Sequence, residues 1–316
     1  MIFVRDTVKD LLPFLYSLLD HSPCHFRLVS NACSLEEEEL LQKQVEGQER
    51  LSFYRVNTRH MLEHHLVLHD LLTLDDDEWF AFIDSDILAT GDFMKPLMTA
   101  ASQCDAVFTG LPLWHEASEQ VMPANFMVMG GRYYQSPDGH SLGLSYCAMY
   151  RRQTLLRYMQ ESGIDFRRFY WSAIPEKYQH QLQEAGLRKI YYDTAKVFNI
   201  LWQQWGAKCR YVEVPELLHL GGISGPGTQK KQRGLSLFRF YKHLRFARNI
   251  KEALNLNYLV KKRNIAAQML SMVIHDASFD ESHPMLRVLS PSLKKKLSEA
   301  AVTIAGTYRK YHKQIR

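Results

Sequence analysis

The sequence predicts an α/β fold, with a mostly parallel sheet, helices on both faces and a basic helical C-terminal region, on three observations. Short β-rich apolar runs alternate with helical patterns from residue 1 to residue 88, one of these runs ends in two carboxylates a single residue apart, and positive charge gathers after residue 229. Alternating β and α units of this length favour parallel crossovers, and ligands of such folds sit outside the carboxyl ends of the strands.

The elements follow in order. Met1-Ile2-Phe3-Val4 is a compact apolar run, and Asp6 and Thr7 are placed to cap a helix marked by Val8, Leu11, Leu12, Leu15, Leu18 and Leu19. Phe26 to Asn31 reads as a second strand that ends in small polar residues. Glu36 to Gln48 reads as an acidic helix, Leu51 to Val56 as an alternating strand, and Met61 to Leu74 as a further helix. Trp79-Phe80-Ala81-Phe82-Ile83 is then a buried strand that delivers Asp84 and Asp86, on either side of Ser85, to the rim of the sheet. Asp6, Asn31 and Asn57 are expected at the same rim.

Two hard oxygen ligands one residue apart suit Mg²⁺ or Mn²⁺, ions commonly shared between protein carboxylates and substrate phosphates. The implied ligand is a nucleoside diphosphate or a similar phosphorylated compound. A solvated strand end is the plain alternative for an isolated Asp-x-Asp. Arg59, in Val56-Asn57-Thr58-Arg59-His60, is a candidate for a donor diphosphate, with a solvated arginine as its alternative. Gly221, Gly222, Gly225 and Gly227 form a segment whose amides suit phosphates or an ordinary linker.

The order of these motifs resembles the GT-A class of nucleotide-sugar-dependent glycosyltransferases, most closely the family-2-like bacterial type, over roughly residues 1–225. The matching segments are Phe3-Val4-Arg5-Asp6 before a helix, Val29-Ser30-Asn31, and Phe82-Ile83-Asp84-Ser85-Asp86 as the Asp-x-Asp motif. Further on they are Gly143 to Arg152, Tyr191-Tyr192-Asp193-Thr194 and His219-Leu220-Gly221-Gly222. The resemblance implies a Rossmann-like GT-A domain at 1–229 and a donor nucleotide sugar held by Arg5, Asp6, Asn31, Arg59, Asp84, Ser85 and Asp86. It implies a divalent cation on Asp84, Asp86 and His219, and Asp193 as the base that accepts the acceptor hydroxyl's proton. The second-strand position carries Asn31 where the family usually has an acid, and Asp193 stands alone where the family usually pairs two. Asp193 also reads as an N-cap for Thr194 to Trp205, and His219 as a structural histidine ending an apolar strand. Attack opposite the leaving group inverts the anomeric centre; the sequence leaves inversion and retention both open.

Residues 230–316 carry 19 Lys and Arg against 5 Asp and Glu, whereas 1–229 carry 20 against 29. Such asymmetry suggests different partners for the two parts. Leu237, Phe240, Tyr241, Leu244 and Ala247 form a helical stripe suited to pack on the catalytic domain, and Tyr258 to Ile274 and Lys294 to Tyr311 are further helical patterns. Off-stripe Phe238 and Phe246 among Arg239, Lys242 and Arg245 suit an anionic membrane surface and a lipid-linked or other glycan acceptor. The plainer alternative is a solvated face that closes the globule. No recognisable nucleic-acid module accompanies the charge, so nucleic acid is not expected as a partner. Trp114 and Tyr134 are placed either to stack on sugar rings or to fill core.

At 316 residues and 46% apolar content the chain can bury a large core. It lacks both a bilayer-length apolar run and a signal-peptide pattern, so a cytoplasmic protein, peripheral at most on the inner membrane face, is expected. Five scattered cysteines indicate neither a zinc site nor a disulfide framework. Two rivals stand beside the transferase. One is a haloacid-dehalogenase-type phosphatase with Asp84 as nucleophile and Asp86 as acid/base; Leu88 stands where that pattern expects Thr or Val. The other is a non-catalytic sugar- or partner-binding protein.

Overall fold

A computed structural model describes residues 1–74, 76–109, 111–114, 140–141, 143, 147–187, 191–221, 223, 250–274 and 279–315. The stripe at 237–247, Tyr134, Gly222, Gly225 and Gly227 lie outside the described residues.

Three parallel strands open the chain. β1 (Ile2–Val4), β2 (Phe26–Asn31) and β3 (Leu51–Arg55) pair in the order β1-β2-β3, with Ile2 opposite Val29 and Phe26 opposite Leu51. The crossovers are α1 (Val8–Asp20) and α2 (Leu35–Val45). α1 buries Val8, Leu11, Leu12, Leu15, Leu18 and Leu19, as their spacing requires. Its cap differs from the expected one. Thr7 Oγ1 donates back to Val4 O at 2.6 Å, and the first amides, of Thr7 and Val8, donate instead to Glu37 Oε1 of α2 at 3.1 and 3.4 Å. Glu37 also completes a capping box with Ser34, which starts α2 at Leu35. One carboxylate therefore secures the positive ends of two helices.

The helix expected from Met61 is shorter, and α3 spans His64–Leu72. Asn31 accounts for the difference. Its Oδ1 accepts the Leu62 N–H at 2.9 Å and its Nδ2 donates to Leu62 O at 3.0 Å, so both backbone groups of Leu62 are withdrawn from a helical turn.

β4 (Trp79–Ile83) lies in a second sheet of order β11-β6-β8-β4, with β6 (Ala106–Phe108), β8 (Cys147–Arg151) and β11 (Cys209–Tyr211). β8 runs antiparallel between β4 and β6, while β11 is parallel to β6. β5 (Ile87–Ala89) and β7 (Leu111–Pro112) flank β12 (Leu217–His219), antiparallel and parallel respectively, and β9 (Phe169–Tyr170) pairs antiparallel with β10 (Tyr191–Tyr192). The α/β class expected from the sequence is the one observed. Its purely parallel part is the first three strands.

Four helices, α4 (Met94–Ala101), α5 (Arg152–Ser162), α6 (Glu176–Glu184) and α7 (Lys196–Gln204), follow in the middle of the chain. Tyr150 on β8 is fully buried among Phe82, Phe108, Phe166, Phe198 and Trp202, with ring centroids 5.2–6.4 Å apart. A second cluster joins α1 and α2 to the C-terminal helices α8 (Ile250–Ile274) and α9 (Pro291–Ile315). Tyr311 stacks on Tyr16 at 4.1 Å, Lys310 pairs with Asp20 at 2.7 Å, and Gln44 Nε2 donates to Gln314 O at 2.9 Å. These helices start earlier than their periodicity suggested, α9 because Ser290 Oγ accepts the Leu293 N–H at 3.1 Å. Trp114 is 2% exposed and belongs to this cluster, so it is core and does not offer its face to a sugar. Among the described residues no helix is long and apolar enough to cross a membrane, and all five cysteines are free.

Gly143 has the least room for change. Its φ is +70°, and a Cβ there would meet Asn199 Nδ2 at 2.1 Å and Phe108 Cε1 at 3.1 Å. Asn199 cannot yield easily, because it is 1% exposed and its Oδ1 accepts the Tyr150 hydroxyl at 3.1 Å. Left-handed strain of about 1–2 kcal/mol and overpacking of about 1–3 kcal/mol add in Gly143→Ala. Urea denaturation should register a loss of that combined size; a loss below about 0.5 kcal/mol, the size of an ordinary surface change, would contradict this packing.

Candidate functional site

The Asp-x-Asp turn is fixed from both sides of the chain. Ile83 ends β4 and Ile87 begins β5, so residues 84–86 span the passage from one sheet to the next. β5 pairs with β12 so that Ile87 lies opposite His219, which brings the histidine to the Asp pair. The next turn closes over Asp86: Leu220 N–H donates to its backbone oxygen at 3.1 Å and Ile223 N–H to its Oδ2 at 3.2 Å. Gly221 makes that turn with φ +69°, with Trp114 Nε1 3.2 Å from where a Cβ would sit.

Asp84, Asp86 and His219 form one cluster, with a ligand atom from each within 4.8 Å of the others. His219 Nε2 lies 3.3 Å from Asp86 Oδ1 and 3.7 Å from Asp84 Oδ2. Asp86 is 0% exposed. Two carboxylates and an imidazole are a donor set that fits Mg²⁺ or Mn²⁺, and a 0%-exposed carboxylate needs a positive partner. Burial lifts the Asp84 carboxyl to about 7; His219 opposes the shift, and the charges of Asp86 and Asp193 add to it. For His219 burial disfavours the imidazolium, but the charge and hydrogen bond of Asp86, followed by the charge of Asp84, win and raise its pKa, with Arg263 opposing. Asp84 and His219 thus compete for positive charge at one point, where a divalent cation would serve both carboxylates.

Beside the cluster lies a cleft of about 590 Å³ lined by Asn31, Asp84, Ser85, Arg168, Asp193 and Thr194 among others. Ser85 is 2% exposed at its floor. Asp193 sits on the turn between β10 and α7, its Oδ1 accepting the Thr194 N–H at 2.8 Å and its backbone oxygen the Lys196 N–H at 3.2 Å. α7 begins at Lys196 with Ala195 at the N-cap position, φ +64°, so Asp193 stands outside the helix it was an alternative cap for. Asn31 reaches the cleft wall, with its amide engaged by Leu62. Arg5 and Asp6, on the exposed turn after β1, and Arg59, exposed on the loop after β3, are not among the residues that line the cleft. Asp6 has φ +66° and Ala32, just past β2, φ +62°; left-handed non-glycine residues thus follow the carboxyl ends of two of the parallel strands.

Two residues escaped the sequence reading, one in the cleft lining and one buried behind Asp193 at the start of α7. Arg168 lines the cleft and pairs with Glu63, which also lies 3.4 Å from His65. Lys196 is 2% exposed and donates to Gly143 O. A lone lysine inside Ala195-Lys196-Val197-Phe198 was the available signal. Burial brings its amine down to about 7, against a smaller opposing effect of Asp193. Its folded value thus falls below the unfolded 10.5, so between pH 7 and 10.5 the unfolded chain holds the extra proton and stability rises with pH. Lys196→Met should reduce the slope of unfolding free energy against pH in this window by up to about 1.4 kcal/mol per unit. Urea denaturation across the window tests this, and parallel slopes for the two proteins would refute the assignment.

Fold and cluster together define the class: an α/β protein with a candidate Asp-Asp-His cation centre just past the carboxyl end of β4, beside an open cleft. No protein-family model matches the chain, and no curated protein matches it in sequence. Among solved structures it is similar to a mannosyltransferase, PcManGT from Pyrobaculum calidifontis in complex with GDP-Man and Mn²⁺, at 13% identity and TM-score 0.42, over 99% of this chain and 87% of that one. It is similar to the glycosyltransferase GlyE of Streptococcus pneumoniae TIGR4 at 11% identity and TM-score 0.40, over 83% and 63%. It is also similar to a 4-diphosphocytidyl-2C-methyl-D-erythritol synthase from Anaerococcus prevotii at 8% identity and TM-score 0.37, over 82% and 97%. At such values the likeness carries no argument about activity, which rests on the site itself.

Proposed function

We propose that the protein is a GT-A-type glycosyltransferase that uses a divalent cation, Mn²⁺ or Mg²⁺, and moves a sugar from a nucleoside diphosphate donor to a hydroxyl of a glycan or lipid-linked glycan. The observation that carries this reading is the meeting of Asp84, Asp86 and His219, drawn from positions 84 to 219, at the edge of the cleft that Asp193 also lines. A cation held by these three supplies Lewis-acid stabilisation of the charge that develops on the departing diphosphate. Asp193 accepts the proton of the acceptor hydroxyl as its oxygen bonds to the anomeric carbon, and the electron pair of the breaking carbon–oxygen bond stays with the diphosphate. With Asp193 and the acceptor on the face of the sugar opposite the departing diphosphate, transfer inverts the anomeric centre. Asn31 and Ser85, which line the cleft, are assigned to the nucleotide side, and Arg5, Asp6 and Arg59, outside its lining, would serve the donor only by approaching it from the exposed loops after β1 and β3. Residues 1–229 form the catalytic region in this reading. Helices α8 and α9 of the basic C-terminal region pack against α1 and α2, and the region's charge suits an anionic membrane at the cytoplasmic face.

Burial of Asp86 weighs against the phosphatase alternative. A general acid must reach the leaving group's oxygen, and a 0%-exposed carboxylate bound to Ile223 N–H does not. Calorimetric titration with UDP, GDP, dTDP and CDP, each with Mn²⁺ and then with excess chelator, tests the proposal. Metal-dependent binding of one nucleotide is expected, and binding of none would remove the reading.

A further inference from the structure

β9 and β10 form a two-stranded ribbon whose alternation sorts its side chains between core and cleft. Tyr170 lies opposite Tyr191, and Phe169 opposite Tyr192. Phe169 and Tyr192 are buried and face the core. Successive strand residues point to opposite faces, so Tyr170 and Tyr191 point away from the core, and Arg168 and Asp193, one step beyond the paired residues, return to that same outward face. Arg168 and Asp193 both line the cleft, and Arg168 pairs there with Glu63 and hydrogen-bonds the Tyr191 hydroxyl. The outward face of the ribbon therefore continues the cleft wall from the proposed base to two aromatic rings. Their centroids are 5.0 Å apart at an interplanar angle of 52°, and the Tyr170 ring is open to solvent, the residue being 66% exposed.

A pyranose ring carries a face of C–H bonds and an edge of hydroxyls. An open phenol ring suits the face, and the charged pair of Arg168 and Glu63 suits the edge. A lipid chain would leave that pair unused. A nucleobase belongs with the diphosphate on the side of Asp84 and Ser85, whereas the rings share their ribbon with Asp193, the group that must touch the acceptor hydroxyl. Trp114, the tryptophan that the sequence offered for stacking, is core and leaves this role open. Resting on the transferase reading, we infer that Tyr170 and Tyr191 form an acceptor platform, on which a sugar ring of a glycan stacks against Tyr170 and the glycan runs along the ribbon towards Asp193.

Titration of the full chain with lactose, cellobiose, maltose and chitobiose, followed by saturation-transfer NMR, tests the platform. Mn²⁺ is present throughout, with whichever of UDP, GDP, dTDP and CDP the parent binds best. At least one disaccharide should bind the parent. Tyr170→Phe, which keeps the ring, should bind it within twofold of the parent, and Tyr170→Ala about 5- to 30-fold more weakly. Both variants should bind the nucleoside diphosphate within twofold of the parent, because the exposed ring supports neither the fold nor the donor. Disaccharide affinity of Tyr170→Ala within twofold of the parent overturns the assignment. So does a parallel loss of diphosphate affinity in that variant, which marks the ring as a nucleotide contact or a support of the fold. A parent that binds a diphosphate but none of the four disaccharides overturns the platform and leaves the transferase reading standing. A parent that binds no nucleoside diphosphate removes the transferase reading, and the acceptor role with it, whatever sugar it holds.

Discussion

Asp86→Ala is expected to abolish Mn²⁺-dependent nucleotide binding and to reduce transfer below about one-thousandth of the parent rate, since the variant loses both a metal ligand and the orientation it gives to the others. Asp86 Oδ2 receives Ile223 N–H and Oδ1 lies against His219, so the substitution also loosens the turn that carries His219. Folding should nonetheless survive. Removing a buried carboxylate removes its desolvation penalty as well as its partners, and Leu220 N–H still donates to the backbone oxygen of residue 86. Calorimetric Mn²⁺ titration, alongside circular dichroism to verify the fold, gives the decision. A folded variant that binds Mn²⁺ and nucleotide like the parent would dismiss the metal assignment.

Asp193→Asn separates chemistry from binding. The amide keeps the acceptor oxygen that takes the Thr194 N–H at 2.8 Å, so the turn into α7 should persist, but it cannot accept a proton. Turnover is expected to fall about 100- to 10,000-fold, the usual worth of a positioned general base, with donor affinity within a few-fold of the parent. Steady-state kinetics with matched donor titrations measure both quantities. If kcat holds and only KM for the donor rises, Asp193 is a binding residue and the base must be sought elsewhere along the cleft.

How much of this was legible beforehand differs by the range of the interaction. The first four strands and the helices between them were readable, because apolar period and bounding polar residues are local properties and the buried faces of α1 and β2 follow them. Boundaries failed where a distant group intervened. Asn31 holds Leu62 out of α3, and Glu37 takes the cap that Thr7 was expected to supply. The Ser34-x-x-Glu37 capping box, a local signal that the reading from Glu36 did not use, starts α2 at Leu35. The insertion of β8 antiparallel between β4 and β6 left no local mark, since Cys147 to Arg151 would look the same in either direction. The candidate site was legible in part. Asp84 and Asp86 announce themselves by adjacency, whereas His219 and Asp193 were reached by resemblance, no spacing rule linking residues so far apart.

The closure of Asp86 by Ile223 spans 137 residues of chain. Pairings of that separation form late, since the entropy of closing so long a loop must be met before the contact returns anything. A nascent chain that has emerged only as far as β11 owns both aspartates but neither His219 nor the amides that shield Asp86, and its strand β4 leads into uncompensated negative charge. The centre therefore cannot be complete until residue 223 has been made, and it locks after the local pairings of the first three strands. A divalent ion present at that moment would bind the finished fold in preference to the open chain and hold it closed by mass action.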